Sequence, residues 1–188
     1  MRNAPAEVGR IIGDGSEEAG MVDESVRRVS YAVIPKQTRR LVKSHLEELK
    51  PKLEEHFQVP LTGYQGPQFL VYGPETFYKA HRDTRPGAPP DILQRRVSVV
   101  IFLNAPGQNP AEEDYGGGGA LTFYGLLEGP VWERCSFSLE SATGLLVAFR
   151  AGVLHEVKPV ISGHRFAIVA WFTNDPASKS SGVEQPHT

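Results

Sequence analysis

The stretch Tyr72-Gly73-Pro74-Glu75-Thr76-Phe77-Tyr78-Lys79-Ala80-His81-Arg82-Asp83 decides how this chain is read. Its centre is His81-x-Asp83. In an extended strand, residues two apart face the same side. An imidazole and a carboxylate so placed can reach one divalent metal ion. His155, in Leu154-His155-Glu156-Val157, offers a third ligand. Two histidines and one carboxylate on one face of an octahedral ion leave positions open, a donor set suited to non-haem Fe(II). Ten residues past His155, Arg165 precedes the apolar run Phe166-Ala167-Ile168-Val169-Ala170-Trp171-Phe172. A buried arginine is costly unless an anion pairs with it. Taken singly, His81 reads rather as a hydrogen-bonded core histidine and Asp83 as a cap on the loop that follows. The constellation favours the metal.

The surroundings of these residues carry a family resemblance. Tyr72, Tyr78, His81 and Asp83, then the strand Val97-Ser98-Val99-Val100-Ile101-Phe102-Leu103-Asn104, follow in order. After them come Tyr115-Gly116-Gly117-Gly118-Gly119-Ala120-Leu121-Thr122-Phe123 and His155-Glu156-Val157-x-Pro159 with Arg165-Phe166-Ala167-Ile168. In that order they resemble the Fe(II)/2-oxoglutarate oxygenases, and within them the prolyl 4-hydroxylase-like branch, over roughly residues 29–173. A lone His-x-Asp is a weak signal; four segments in order are a strong one. The resemblance implies a mainly β fold with N-terminal helical support, a double-stranded β-helix or jelly roll. It implies Fe(2+) held by the catalytic residues His81, Asp83 and His155. It implies 2-oxoglutarate held by Arg165 and Tyr72, O2 as oxidant, and ascorbate as an accessory reductant. The implied reaction hydroxylates an unactivated C–H and releases succinate and CO2. Asp83 favours hydroxylation, since halogenases of the superfamily lack the carboxylate. Some relatives place a tyrosine where Phe102 stands, or a hydroxyl residue where Ala167 and Val169 stand, so anion binding leans on Arg165.

Composition reads as that of a soluble, globular domain. The chain has 188 residues, 40% hydrophobic and 22% charged, with a formal net charge of −2. That length is consistent with one well-cored domain. The charge balance gives no reason to expect nucleic acid or an anionic membrane as partner. The single cysteine, Cys135, excludes an intrachain disulfide and fits a reducing compartment. Met1 to Gly20 has no apolar signal segment and no run approaches a membrane span, so the expected location is cytoplasmic.

Along the chain, residues 1–24 are expected to be an unstructured tail, 25–175 a single oxygenase domain and 176–188 a polar tail. Val26 to Ile34 is strand-like. Val42, Leu46, Leu49, Leu53 and Phe57 recur at helical spacing and predict a support helix over 36–57, kinked or split at Pro51. The jelly-roll core spans 65–173. Residues 84–94, with Pro86, Gly87, Pro89 and Pro90, are expected to be a non-helical loop acting as a substrate lid. Many short strands between turn signals argue for a double-sheet jelly roll. The chain between Val153–Val160 and Arg165–Thr173 is expected to turn at Ser162-Gly163, pairing those two strands. Tyr78 and Trp171 are expected to pack the core, and His45, His56 and His164 to be no part of the site.

The substrate class is narrower only by branch analogy. A prolyl or other amino-acid side chain in a peptide or protein leads. A free amino acid or small metabolite is the alternative. A non-catalytic jelly-roll binding module is the reading from a different class.

Overall fold

A computed structural model describes residues 6–8 (backbone only), 25–107, 115–127 and 135–175. In chain order the elements are β1 (Ala6–Val8), β2 (Arg27–Arg28), β3 (Ser30–Ala32), α1 (Lys36–Phe57), β4 (Gly63–Tyr72), β5 (Phe77–His81) and α2 (Pro90–Leu93). They continue with β6 (Arg95–Phe102), β7 (Gly117–Gly118), β8 (Leu121–Tyr124), β9 (Ser136–Leu139), β10 (Leu146–Arg150), β11 (Leu154–Val157), β12 (Val160–Ser162) and β13 (Arg165–Thr173). Among the described residues, the strands form a six-stranded sheet in the order β1-β3-β4-β13-β6-β10. A five-stranded sheet runs β2-β5-β11-β8-β9, and β12 pairs with β7. All of these ladders are antiparallel. This is the double-sheet jelly roll.

The larger sheet is apolar on both faces. One face lines the space between the sheets with Leu70, Tyr72, Val100, Phe102 and Ala167, opposite Leu121, Phe123 and Val157 of the smaller sheet. The other face is covered by α1, whose Leu46 and Leu53 pack on Val97, Val99, Ala170 and Phe172. A strand covered on both faces reads as a continuous apolar run, which is why β6 and β13 are so plain in sequence. The helix occupies the expected residues and runs unbroken through Pro51. Pro35 stands just before it as N-cap, where its fixed φ suits helix entry.

Four expectations are corrected. Residues 84–94 are not wholly non-helical: Pro90–Leu93 forms one short helical turn with proline at its start, where a missing N–H costs nothing. Val26 to Ile34 is not one strand. Arg27–Arg28 pairs with β5 in the smaller sheet and Ser30–Ala32 with β4 in the larger, so the chain changes sheets at Val29. Ala6–Val8, inside the expected tail, pairs with β3; a free strand edge offers its backbone groups whatever the side chains. The rest of the stretch 1–24, and the tail 176–188, lie outside the described residues. Finally, β11 does not pair with β13. Lys158-Pro159 ends β11, and at Ser162-Gly163 the chain crosses between sheets, so Arg165 lies opposite Tyr72. No described helix is long and apolar enough to cross a membrane.

Candidate active site

Antiparallel pairing brings the two histidines together. His155 on β11 sits directly opposite His81 on β5, and cross-strand partners on one face are neighbours. Their ring centroids are 4.3 Å apart. Asp83 is not within the strand, as the sequence reading assumed. It lies two residues past His81, just beyond the end of β5, where the chain bends and brings its carboxylate between the rings. Asp83 Oδ1 is 3.5 Å from His81 Nε2, and Oδ2 is 3.5 Å from His155 Nε2. The potential ligand atoms of the three residues all lie within 4.8 Å of one another.

Each of these atoms is aimed by a partner behind it. His81 Nδ1 is 2.8 Å from the Lys79 carbonyl, and His155 Nδ1 is 2.9 Å from the Val153 carbonyl. A carbonyl only accepts, so in the neutral rings Nδ1 carries the proton and Nε2 keeps its lone pair. Ser98 Oγ donates to Asp83 Oδ2 at 2.6 Å. That serine is the one polar residue in the buried stretch Val97-Ser98-Val99-Val100, and its place there was the signal that could have flagged it. Tyr78 stacks flat on His81, with centroids 3.5 Å apart; it braces that imidazole rather than merely filling core. Burial lifts the Asp83 carboxyl, but the hydrogen bond with His81, the charges of His155 and His81, and Ser98 outweigh it and hold it well below the usual carboxylate range. Burial also pulls His155 below its ordinary value, which favours the neutral, coordinating ring.

Facing them across the sandwich, Arg165 opens β13 and is 1% exposed. Its guanidinium lies 4.9 Å from the ring centres of both Tyr72 and Phe102. Nε donates to Ser141 Oγ at 3.1 Å. Nη2 is sealed without any partner, and Arg165 forms no ion pair among the described residues. Burial pulls its pKa below the ordinary guanidinium value, the mark of a cation lacking its counter-charge. Gly119 makes room for it: with φ of +62°, a Cβ there would stand 2.8 Å from Arg165 Cδ. Tyr115, buried beside it with its hydroxyl on the Gly118 carbonyl, closes the wall. Sequence reasoning missed Ser141 and Tyr115 because nothing nearby in the chain links them to Arg165.

One narrow cavity joins the two halves. It is lined by His81, Asp83 and His155 at one side and by Tyr72 and Arg165 at the other, with Leu70, Val100, Leu121 and Val157 between. An apolar channel from a metal-ligand cluster to an unpaired guanidinium fits a short diacid that chelates metal at one end. The donor set fits iron. A second, wider cleft abuts it, sharing Arg27, Tyr78, Asp83 and Trp171. Trp171, expected to be plain core, therefore faces both spaces. His164 is not in the site; it stacks near Phe166 on the far side.

A family model described as the 2OG-Fe(II) oxygenase superfamily matches residues 67–173. No curated protein matches the chain by sequence. Among solved structures, a Pseudomonas putida prolyl-4-hydroxylase is similar at a TM-score of 0.64 and 22% identity, over 90% of this chain and 78% of that one. A Trichoplax adhaerens prolyl hydroxylase in complex with a hypoxia inducible factor oxygen degradation domain peptide fragment scores 0.62 at 20% identity, over 92% and 74%. A viral collagen prolyl hydroxylase from Paramecium Bursaria Chlorella virus-1, as its 2OG complex, scores 0.53 at 19% identity, over 80% of each chain.

Proposed function

The chain belongs to the 2OG-Fe(II) oxygenase superfamily, and from that premise we propose that it hydroxylates a prolyl or other amino-acid side chain in a peptide or protein. It is a 2-oxoglutarate-dependent dioxygenase, using Fe(2+), 2-oxoglutarate and O2. The single observation behind the site assignment is the buried, unpaired Arg165 looking down one cavity at the cluster His81, Asp83 and His155.

In this reading the three side chains hold the iron. When bound, the iron would activate O2, with one oxygen atom going to the substrate C–H and the other to 2-oxoglutarate, which would be oxidised to succinate and CO2. The chain's own part is binding, orientation and exclusion of water. The Lys79 and Val153 carbonyls fix the imidazole planes, and Ser98 fixes the carboxylate. Partners of this kind typically affect metal affinity ~10–100-fold. Arg165 takes the far carboxylate of the diacid through its free Nη2, with Tyr72 stacked against the same guanidinium. The fork geometry of arginine suits a carboxylate. Tyr78, whose phenol burial pushes up to about 12, stays protonated and serves as a brace, not an acid–base group.

The peptide substrate is supported by the branch resemblance and by the Trichoplax neighbour, solved with a peptide fragment. It is also supported by the wide cleft beside Asp83, walled by Arg85, Pro89, Asp91 and Ile92, which makes residues 84–94 the natural lid. The test is succinate release over peptide and amino-acid libraries, with mass spectrometry seeking products heavier by one oxygen atom. A hydroxylated peptide supports the proposal. Hydroxylation of free amino acids alone would replace it with the small-metabolite reading.

A further inference from the structure

The cleft beside the metal cluster holds a cation that the mechanism does not use. Arg27, on β2 opposite Tyr78, is 7% exposed. Its guanidinium lies 4.7 Å from the Tyr78 ring centre and 5.4 Å from that of Tyr31. Its Nε is sealed without a partner, and its side chain makes no hydrogen bond or ion pair among the described residues. It lines both the inner cavity and the outer cleft. Tyr78 in turn stacks on His81, so only one ring separates Arg27 from a metal ligand.

Arg27 is not alone. Five buried side-chain polar atoms lack a partner among the described residues: Arg165 Nη2, Arg27 Nε, Tyr31 OH, Gln68 Oε1 and Trp171 Nε1. The last four all belong to residues lining the outer cleft. Folded proteins leave few such groups unsatisfied, and each one needs an explanation. Here four of them belong to residues that wall one space, three of them donors. Arg95 in the same cleft is already engaged, donating to Gln65 at 2.7 Å, with its guanidinium 4.1 Å from the Trp171 ring centre. Arg82 donates to the Gly152 carbonyl. The cleft's carboxylates are Asp83, committed to the histidines, and Asp91 on α2. The charge left over is positive, and its one buried unspent bearer is Arg27.

We propose that the outer cleft is a carboxylate-reading substrate site. Arg27, helped by the Tyr31 hydroxyl and the Trp171 indole N–H, takes a carboxylate of the molecule to be hydroxylated. This rests on the oxygenase reading and sharpens it: the substrate is anionic close to its reacting carbon. The carboxylate belongs to a free amino acid or to an acidic side chain beside the modified residue of a peptide. Arg165 then reads the co-substrate and Arg27 the substrate, one guanidinium to each acid.

The test uses the full chain with Fe(II) and 2-oxoglutarate under anaerobic conditions, titrated by calorimetry and tryptophan fluorescence. The probes are two pairs differing only in charge: L-proline against L-prolinamide, and a capped Gly-Pro-Glu tripeptide against capped Gly-Pro-Gln. The carboxylate member of one pair is expected to bind about tenfold tighter or more, as a charge-assisted hydrogen bond allows. The pair that responds identifies the source. Arg27→Gln should erase the gap and Arg27→Lys keep part of it, both leaving 2-oxoglutarate binding unchanged. Both variants should fold with wild-type circular dichroism, because Arg27 has no polar partner to lose. Equal binding within both pairs, no binding by any probe, or a gap that survives Arg27→Gln would overturn the proposal. So would an effect of Arg27→Gln on 2-oxoglutarate rather than on the probes. Failure of the wild type to bind Fe(II) and 2-oxoglutarate would instead sink the oxygenase reading, and is seen before any probe is added.

Discussion

The two walls of the sandwich treat their polar groups in opposite ways. On the smaller sheet, His81 and His155 each have one ring nitrogen bound to a carbonyl, and Asp83, just past the end of β5, is tied to Ser98. Only the atoms that face one another remain open. On the larger sheet, Arg165 has Nε satisfied and Nη2 sealed with nothing. One wall presents a preorganised set of donor atoms. The other carries a cost, a buried cation with no counter-charge among the described residues, which in the proposed function an anion offsets. Under the proposed function, the contrast separates residues that would organise a metal from a residue that would take an anion. It also predicts different outcomes when each is removed.

The largest effect is expected from His155→Ala. It should lower iron affinity and succinate formation by more than about 100-fold, beyond the ~10–100-fold typical of outer partners. Metal binding by calorimetry and succinate release check this; retained turnover would mean another residue is the ligand. Arg165→Ala should leave iron binding intact while raising the 2-oxoglutarate requirement roughly 10–100-fold, as loss of charge-assisted hydrogen bonds implies. If Arg165→Ala weakens iron instead, the two walls do not divide the work. Gly119→Ala is a gentler version of the same break. Its methyl would press on Arg165 Cδ at 2.8 Å and on Val160 at 3.0 Å, at φ of +62°. It should raise the 2-oxoglutarate requirement with iron affinity unchanged. Ser98→Ala, the smallest change on the metal side, should cost iron affinity about tenfold with an unaltered 2-oxoglutarate requirement.

A pH series sharpens the same comparison without mutation. Burial pulls His155 below the ordinary imidazole value of about 6.5. A depressed histidine favours protonation in the unfolded chain, so metal-free stability should fall as pH drops below about 6.5. Thermal melts of wild type should show that decline, and His155→Ala should flatten it. Arg165 stays charged throughout and adds no slope in this window.

Much of this was legible in sequence, for physical reasons. β6 and β13 are buried on both faces, so their apolar runs stand out. The support helix follows from the spacing of Leu46 and Leu53. His81, Asp83, His155 and Arg165 carry chemistry costly enough to bury that their types alone mark them. Pairing was not legible. Strand partners are set by long-range packing, so the crossing at Ser162-Gly163 looked like a hairpin. That error put Arg165 deeper along the same sheet as His155, whereas it faces the histidine from the opposite one. Residues whose importance lies in whom they touch, namely Ser141, Tyr115 and Arg27, have no local signature, and Ser98 has only its polar place in a buried apolar run. Asp83 was placed on the correct side for an incomplete reason, since it acts from the bend after β5 rather than from its pleat.

The most direct measurement of this division is anaerobic titration of 2-oxoglutarate into the Fe(II)-loaded chain, followed by the weak visible charge-transfer band of the complex. Wild type should develop the band and saturate. Arg165→Ala should reach the same band only at about tenfold or more 2-oxoglutarate, and His155→Ala should show none. A wild-type protein without the band, or an Arg165→Ala titration that overlays the wild type, would contradict the account.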